Sequence, residues 1–284
     1  MTRRCGVVGS PIMHSKSPEI HNTAYRLLGI KDVEYTRHEV TPAELSKFIS
    51  KVKADGSWVG FSVTMPLKSE IFQYCDTHDD IALSTDAINT VSIDGNGVLH
   101  GFNTDVYGIE QALLSQKSAP LPHSSVILGS GATARSALYA LTNLGAKQIL
   151  VVSRRRPVWI DQPATLRPSD QGAQCPVVKW VALDDFITKM DNCAELLGEI
   201  PTTIVSTLPW DPASTWLPRL AKELPWFTST RLLECAFPKV LPNSIDGSVM
   251  LVHQAVKQLE IWFANESQPS AFSRIGEELI DLLN

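Results

Sequence analysis

No long hydrophobic run, no paired-cysteine motif and no excess of positive charge occur in this sequence, and each absence removes a class of function. None of the apolar stretches approaches the roughly 18 residues of a membrane span, so no membrane partner is expected. The opening MTRRCGVVGSP lacks the apolar core of a secretory signal, and the unpaired cysteines fit an expected reducing cytoplasm. Five cysteines (Cys5, Cys75, Cys175, Cys193, Cys235) are odd in number and scattered without a C-x-x-C pair. Neither a disulfide framework nor a thiolate site is favoured, and no metal is expected. With 25 Lys and Arg against 30 Asp and Glu the formal charge is −5, so nucleic acid is not an expected partner. Basic residues crowd together only at Arg154-Arg155-Arg156.

What is present is alternation. The 284 residues, 44% hydrophobic, suffice for two domains with real cores. Short β-branched runs at Cys5–Gly9, Glu34–Val40, Val59–Thr64 and Ala87–Ile93 are separated by helical patterns, the mark of an α/β fold. Ile20, Ala24, Leu27 and Leu28 make an apolar stripe on a helix from Pro18 to Leu28. Thr41-Pro42-Ala43-Glu44 reads as a capping box with proline at the first helical position. After a helix from Asp105 to about Gln116, the Pro/Ser-rich stretch Ser118–Ser125 marks a new unit.

That unit opens with Val126-Ile127-Leu128-Gly129-Ser130-Gly131-Ala132-Thr133-Ala134, a helical run to Leu144, Gly145 as a C-cap, and the strand Gln148–Val152. Strand, G-x-G-x-x-A turn, helix and strand form the context that gives the fingerprint meaning: a Rossmann dinucleotide site. Gly129 permits the tight turn, Gly131 lets backbone approach a pyrophosphate, and the helix N-terminus faces the anion. An NAD site usually places Asp or Glu at the end of the second strand. Here Ser153 stands there, followed by three arginines, with no acid before Asp161. A hydroxyl and guanidinium forks suit the 2′-phosphate of NADP. The stretch Thr202–Pro209 reads as another buried strand ending in hydroxyls, Ser206 and Thr207 among them, a second edge for a cofactor.

In the first half, GFSVTMPLK (Gly60–Lys68) reads as a strand that stops at a proline and starts a helix with Lys68 in its first turn. A cation is electrostatically misplaced at a helix start. Other polar residues also gather at strand ends: Ser15 and Ser17 after Gly9-Ser10-Pro11, Thr64, Asn89-Thr90, and Asn103-Thr104-Asp105. Ligands of open parallel sheets bind there, and this set suits a small polyhydroxylated acid.

GSPIMHSKSP (Gly9–Pro18), SVTMPLK, Ala87-Ile88-Asn89-Thr90, GFNTD (Gly101–Asp105), GSGATA and MLVHQA (Met250–Ala255) stand in the order and approximate spacing of shikimate dehydrogenases, which the chain resembles over almost its whole length. The resemblance implies a substrate domain over residues 1–104, an NADP-binding Rossmann domain over 105–240 across a cleft, and C-terminal helices over 241–284 that return to the first domain. It implies Lys68 and Asp105 as the catalytic pair for reversible NADPH-dependent reduction of 3-dehydroshikimate to shikimate, with the lysine's charge met by the carboxylate. Ser15 and Ser17 would take the substrate carboxylate, while Thr64, Asn89, Gln254 and the position of Phe237 would contact the rest. Cofactor contacts would come from Gly129, Ser130, Gly131, Ala132, Thr133, Ser153, Arg154, Arg155, Thr207 and Cys235, with Gly247 and Met250 at the nicotinamide and Asp80 as a nearby acid. Three departures stand out: Ser62 replaces the family's usual asparagine, Glu234–Phe237 replaces Asp-x-x-Tyr, and Ser153-Arg154-Arg155 replaces Asn-Arg-Thr. A quinate or aminoshikimate dehydrogenase, or a binding-only sensor, are the alternatives; the oligomer is expected to be a monomer or homodimer.

Overall fold

A computed structural model describes residues 2–116, 122–161, 175–190, 196–236, 238–267 and 269–283. The chain divides into two compact units, Met1–Asp105 with Leu251–Asn284, and Val106–Met250.

The first unit contains β1 (Arg3–Gly9), α1 (Ser17–Leu28), β2 (Val33–Glu39), α2 (Leu45–Ala54), β3 (Trp58–Val63), β4 (Thr77–His78), α3 (Asp80–Thr85), β5 (Thr90–Ile93) and β6 (Leu99–Phe102). Its sheet runs β2-β1-β3-β5-β6-β4 among the described residues. The first three strands are parallel, whereas β5 is antiparallel to both β3 and β6. The capping box forms: Thr41 N and Oγ1 both donate to Glu44 Oε2, in a 3₁₀ turn that leads into α2. One core lies where α1 meets α8 (Gly247–Phe263) and α9 (Pro269–Leu283), around Ile20, Ala24, Val252, Leu259, Phe263 and Phe272. A second, around Phe61, Leu67, Ile71, Ile88 and Leu99, fills the opposite layer.

One local expectation fails. No helix starts after Pro66: Met65–Ser69 is a turn, followed by a 3₁₀ segment at Glu70–Tyr74. The Lys68 carbonyl, which an α-helix would give to the amide four residues on, accepts instead from Ile88 N at 2.8 Å. Lys68 is thereby stitched to the segment that carries Asn89.

The second unit contains α4 (Asp105–Leu114, from Val106 on), β7 (Ser124–Leu128), α5 (Ala132–Asn143), β8 (Gln148–Ser153), β9 (Val177–Ala182), α6 (Leu183–Met190), β10 (Thr203–Ser206), α7 (Trp210–Glu223) and β11 (Arg231–Glu234). Its sheet, β11-β10-β7-β8-β9, is parallel throughout. Continuous apolar strands such as Val126–Leu128 and Ile149–Val152 are buried completely, as a sheet covered on both faces requires. Chain order reverses between β7 and β10, so their carboxyl ends form the switch point where such sheets bind ligands.

Candidate active site

In the first unit, strand ends and turns converge on a buried ion pair. Lys68 Nζ donates to Asp105 Oδ2 at 2.5 Å, with the two side chains 13% and 2% exposed. Asn89 Nδ2 donates to Asp105 Oδ1 at 2.7 Å and to Gln254 Oε1 at 3.0 Å. Asp105 begins α4, yet its carboxylate serves the lysine and the amide; the Asp105 N–H is received by Asn103 Oδ1 at 3.0 Å. The orientation of Asn89 is fixed by its other end, since Oδ1 accepts from Thr104 N at 2.8 Å and from Thr90 Oγ1 at 2.8 Å. A backbone N–H can only donate, so Nδ2 must face Asp105.

The serine loop is held by the edge strand. Arg37 on β2 donates twice to the Ser15 carbonyl, at 2.6 and 3.0 Å, and Ile12 N donates to Glu39 Oε2 at 2.9 Å. Ser17 N donates to Ser15 Oγ at 3.3 Å, and Ser17 is buried at the start of α1. Thr64, half-buried beyond β3, is anchored through its N–H to the Val8 carbonyl at 2.9 Å. Asp80 stands exposed on α3 beside Asp79, which caps that helix by accepting from Ala82 N. Burial raises the Asp79 carboxyl above the ordinary aspartate range.

Behind this site lies a polar cluster that motif reading missed. Tyr35 Oη donates to Ser62 Oγ at 2.6 Å, Ser62 Oγ to Gln258 Oε1 at 2.8 Å, and Gln258 Nε2 to Thr90 Oγ1 at 2.9 Å. His21 Nε2 also meets Gln258 Oε1 at 3.0 Å, while its ring stacks on Tyr35 at 4.2 Å. Burial pushes the His21 imidazole down to about 3 and the Tyr35 phenol well above its usual range. The only sequence signal was the spacing of Gln254 and Gln258, four apart and so on one helix face.

In the second unit the glycine turn is shaped by what surrounds it. Gly129 has φ +115°, and a Cβ there would lie 2.3 Å from Thr207 Oγ1, whose hydroxyl donates to the Leu128 carbonyl. A Cβ at Gly131 would meet no described protein atom within 4 Å, so the space beside it is open to a ligand. Ala132 and Thr133 open α5 directly after it. A cavity of about 400 Å³ is lined by Ser130, Arg154 and Arg155.

Ser153 is not available to that cavity as a donor. It is buried, donates to the Arg155 carbonyl at 2.7 Å and accepts from Trp180 Nε1 at 2.9 Å, so it shapes the arginine turn. Arg156 is engaged by Asp161 and stacks over Trp180. Glu234 is buried and accepts from Val240 N, Leu241 N and Ser244 Oγ, which gives that departure a structural role. Cys235 N donates to the Ser206 carbonyl, Gly247 packs against the Glu234 carbonyl, and Met250 is buried. Phe237 lies outside the described residues.

The sequence family described as "Shikimate dehydrogenase substrate binding domain" matches residues 7–91. The crystal structure of Mycobacterium tuberculosis shikimate dehydrogenase superposes with a TM-score of 0.72 at 29% identity, covering 97% of this chain and 99% of that one. This chain belongs to the shikimate dehydrogenase family. The pentafunctional AROM polypeptide of Saccharomyces cerevisiae (strain JAY291) is 33% identical over 272 residues, which is 90% of this chain but 16% of that polypeptide. A quinate dehydrogenase from Corynebacterium glutamicum in complex with NAD shares the fold, with a TM-score of 0.74 and 20% identity over 99% of each chain. Fold alone therefore does not select between shikimate and quinate within the family's architecture.

Proposed function

We propose that this member of the shikimate dehydrogenase family catalyses the reversible, NADP-dependent interconversion of 3-dehydroshikimate and shikimate. The observation that carries the reading is the buried Lys68–Asp105 pair with Asn89 and Gln254 hydrogen-bonded around it. Reduction of a carbonyl places negative charge on its oxygen, and the Lys68 ammonium is the group to hydrogen-bond that oxygen and give it a proton. Asp105 holds the ammonium in place and has acceptor capacity left for a substrate hydroxyl. Ser15 and Ser17 bind the carboxylate, and Thr64, Asn89 and Gln254 meet the ring hydroxyls, fixing the reacting carbon. A binding-only protein has no need of this pair.

The second unit fits a dinucleotide on its own chemistry: open space beside Gly131, the N-terminus of α5, and the cavity at Ser130, Arg154 and Arg155. When bound, the nicotinamide supplies or takes up the hydride. Arg154 and Arg155 would hold a 2′-phosphate. Asp161, the first acid after β8, is committed to Arg156, so among the described residues that directly follow the strand none offers a free carboxylate to the NAD ribose.

For quinate to be preferred, its additional hydroxyl on the carboxylate-bearing carbon needs a partner, and leaving that group unpaired costs about 1–3 kcal/mol. Measuring kcat/KM for shikimate and quinate, each with NADP and NAD, tests the reading. Shikimate with NADP should give the highest value. A higher value for quinate overturns the substrate, and no turnover in any combination overturns the enzyme.

A further inference from the structure

Hydrogen counting turns the cluster behind the active site into a directed chain. Two ends are fixed by chemistry: the Asp105 carboxylate only accepts, and Thr104 N–H only donates. Asn89 must therefore present Nδ2 to Asp105 and Oδ1 to Thr90. Gln258 Nε2 faces the Asn89 backbone carbonyl at 3.5 Å, which only accepts, so the amide also donates to Thr90 Oγ1; the single Thr90 proton then goes to Asn89 Oδ1 at 2.8 Å, a shorter contact than the 3.2 Å to Thr104 Oγ1. That turns Gln258 Oε1 toward Ser62 and His21, Ser62 gives its proton to Gln258, and Tyr35 gives its own to Ser62. Every donor from Tyr35 to Asn89 points along one direction and ends on Asp105.

The same counting assigns His21. Gln258 Oε1 accepts, so His21 Nε2 carries the proton and Nδ1 is bare; Nδ1 is buried and meets no described partner. A neutral imidazole agrees with its burial.

We infer that Gln258 is a positioning residue for the catalytic pair: through Thr90 and Asn89 it relays a one-directional chain of donors from Tyr35 and His21 onto Asp105. The inference rests on the proposed role of Lys68 and Asp105. Aligned hydrogen bonds polarise one another, each by roughly 10–30%, so the dipoles complement the carboxylate that holds Lys68. The ligand-facing Gln254 and the core-facing Gln258, one turn apart, then divide the work: one touches Asn89's donor, the other directs its acceptor.

Two experiments test this. Nitrogen-15 NMR of histidine-labelled protein reads the tautomer of His21 without any assay of activity. The proton should reside on Nε2, and an Nδ1–H tautomer overturns the chain even if shikimate is turned over normally. For catalysis, Gln258→Met should lower kcat by roughly 3- to 30-fold with KM for shikimate nearly unchanged. Gln258→Glu supplies a neutral carboxyl at acid pH whose O–H replaces the amide donor to Thr90; ionised, it cannot donate. Its kcat relative to the parent should therefore rise as pH falls, while the Gln258→Met ratio stays flat. A flat ratio in both variants, or loss through KM alone, reduces Gln258 to a packing residue and overturns the inference. Should Gln258→Met fail to fold, Tyr35→Phe removes the first donor and keeps the ring stack; unchanged kcat there also overturns it. If the parent turns over neither acid, the proposed function fails while the tautomer still decides the chain.

Discussion

Replacing Arg154, Arg155 and Arg156 one at a time by alanine separates three adjacent cations that the sequence presents as equivalent. In the structure they are not equivalent. Arg154 and Arg155 line the cavity with Ser130, whereas Arg156 is held by Asp161 and Trp180. A guanidinium contact to a phosphate is charge-assisted and worth about 1.5–3 kcal/mol. Arg154 and Arg155 are exposed, so solvent screening trims this to about 1–2 kcal/mol each, a roughly 5- to 30-fold rise in the NADP dissociation constant. NAD has no 2′-phosphate and should lose less than about threefold in the same variants. Arg156→Ala removes a solvated ion pair and should leave NADP affinity within about threefold of the parent. Titrating the parent and each variant with NADP and NAD by nucleotide fluorescence or calorimetry gives the eight affinities required. If Arg156→Ala costs as much NADP affinity as Arg154→Ala, the division of the turn is wrong. If Arg154→Ala weakens NAD as much as NADP, the arginine acts elsewhere than on the 2′-phosphate.

The parts of the molecule legible in the sequence were those encoded locally. Gly129 and Gly131 followed an apolar strand and preceded a helix, and that order alone predicted the parallel sheet and its glycine turn. The Thr41–Glu44 box was readable for the same reason. Lys68 carried its environment less faithfully: the proline beside it suggested a helix start, but the Ile88 N–H, twenty residues on, captures its carbonyl and makes a turn. Ser153 looked like a phosphate donor because nothing local announces that Trp180, a strand away, takes its lone pair while its proton goes to Arg155. Long-range partners defeat motif reading most completely. His21, Tyr35, Ser62 and Gln258 form one cluster, but only the sheet register and the packing of α8 bring them together. Glu234 is another such case, read only as a departure from the family's Asp-x-x-Tyr and found, itself buried, closing a loop through three hydrogen bonds.

Within the active site, Lys68→Ala should lower kcat by roughly 10²–10⁴ with little change in cofactor affinity, and near-normal turnover would leave the buried Lys68–Asp105 pair a structural role only. Asp105→Asn should also cost much of kcat, because the amide keeps the shape without the charge that holds Lys68. His21 predicts a pH dependence of stability: with its imidazole held at about 3 against 6.5 in the unfolded chain, the stabilisation is full above pH 6.5 and is lost as pH falls toward 3. Between about pH 7.5 and about pH 5.0 the parent should lose about 2 kcal/mol more than His21→Gln in urea unfolding, and equal losses would contradict a buried neutral histidine. The last prediction concerns Ser62, where the family more often has asparagine. Ser62 is buried between Tyr35 Oη at 2.6 Å and Gln258 Oε1 at 2.8 Å, which leaves no room for a longer side chain while the phenol stays. Ser62→Asn should therefore destabilise by about 1–3 kcal/mol through overpacking. Tyr35→Phe should cost about 1–2 kcal/mol by removing the donor to Ser62. In the double variant the missing hydroxyl makes space for the amide, so its cost should fall short of the sum of the two single costs by about 0.5–3 kcal/mol. Urea unfolding of all four proteins measures that coupling. Strict additivity would mean that Ser62 and Tyr35 tolerate change independently, and the serine would then need a reason other than the phenol it meets.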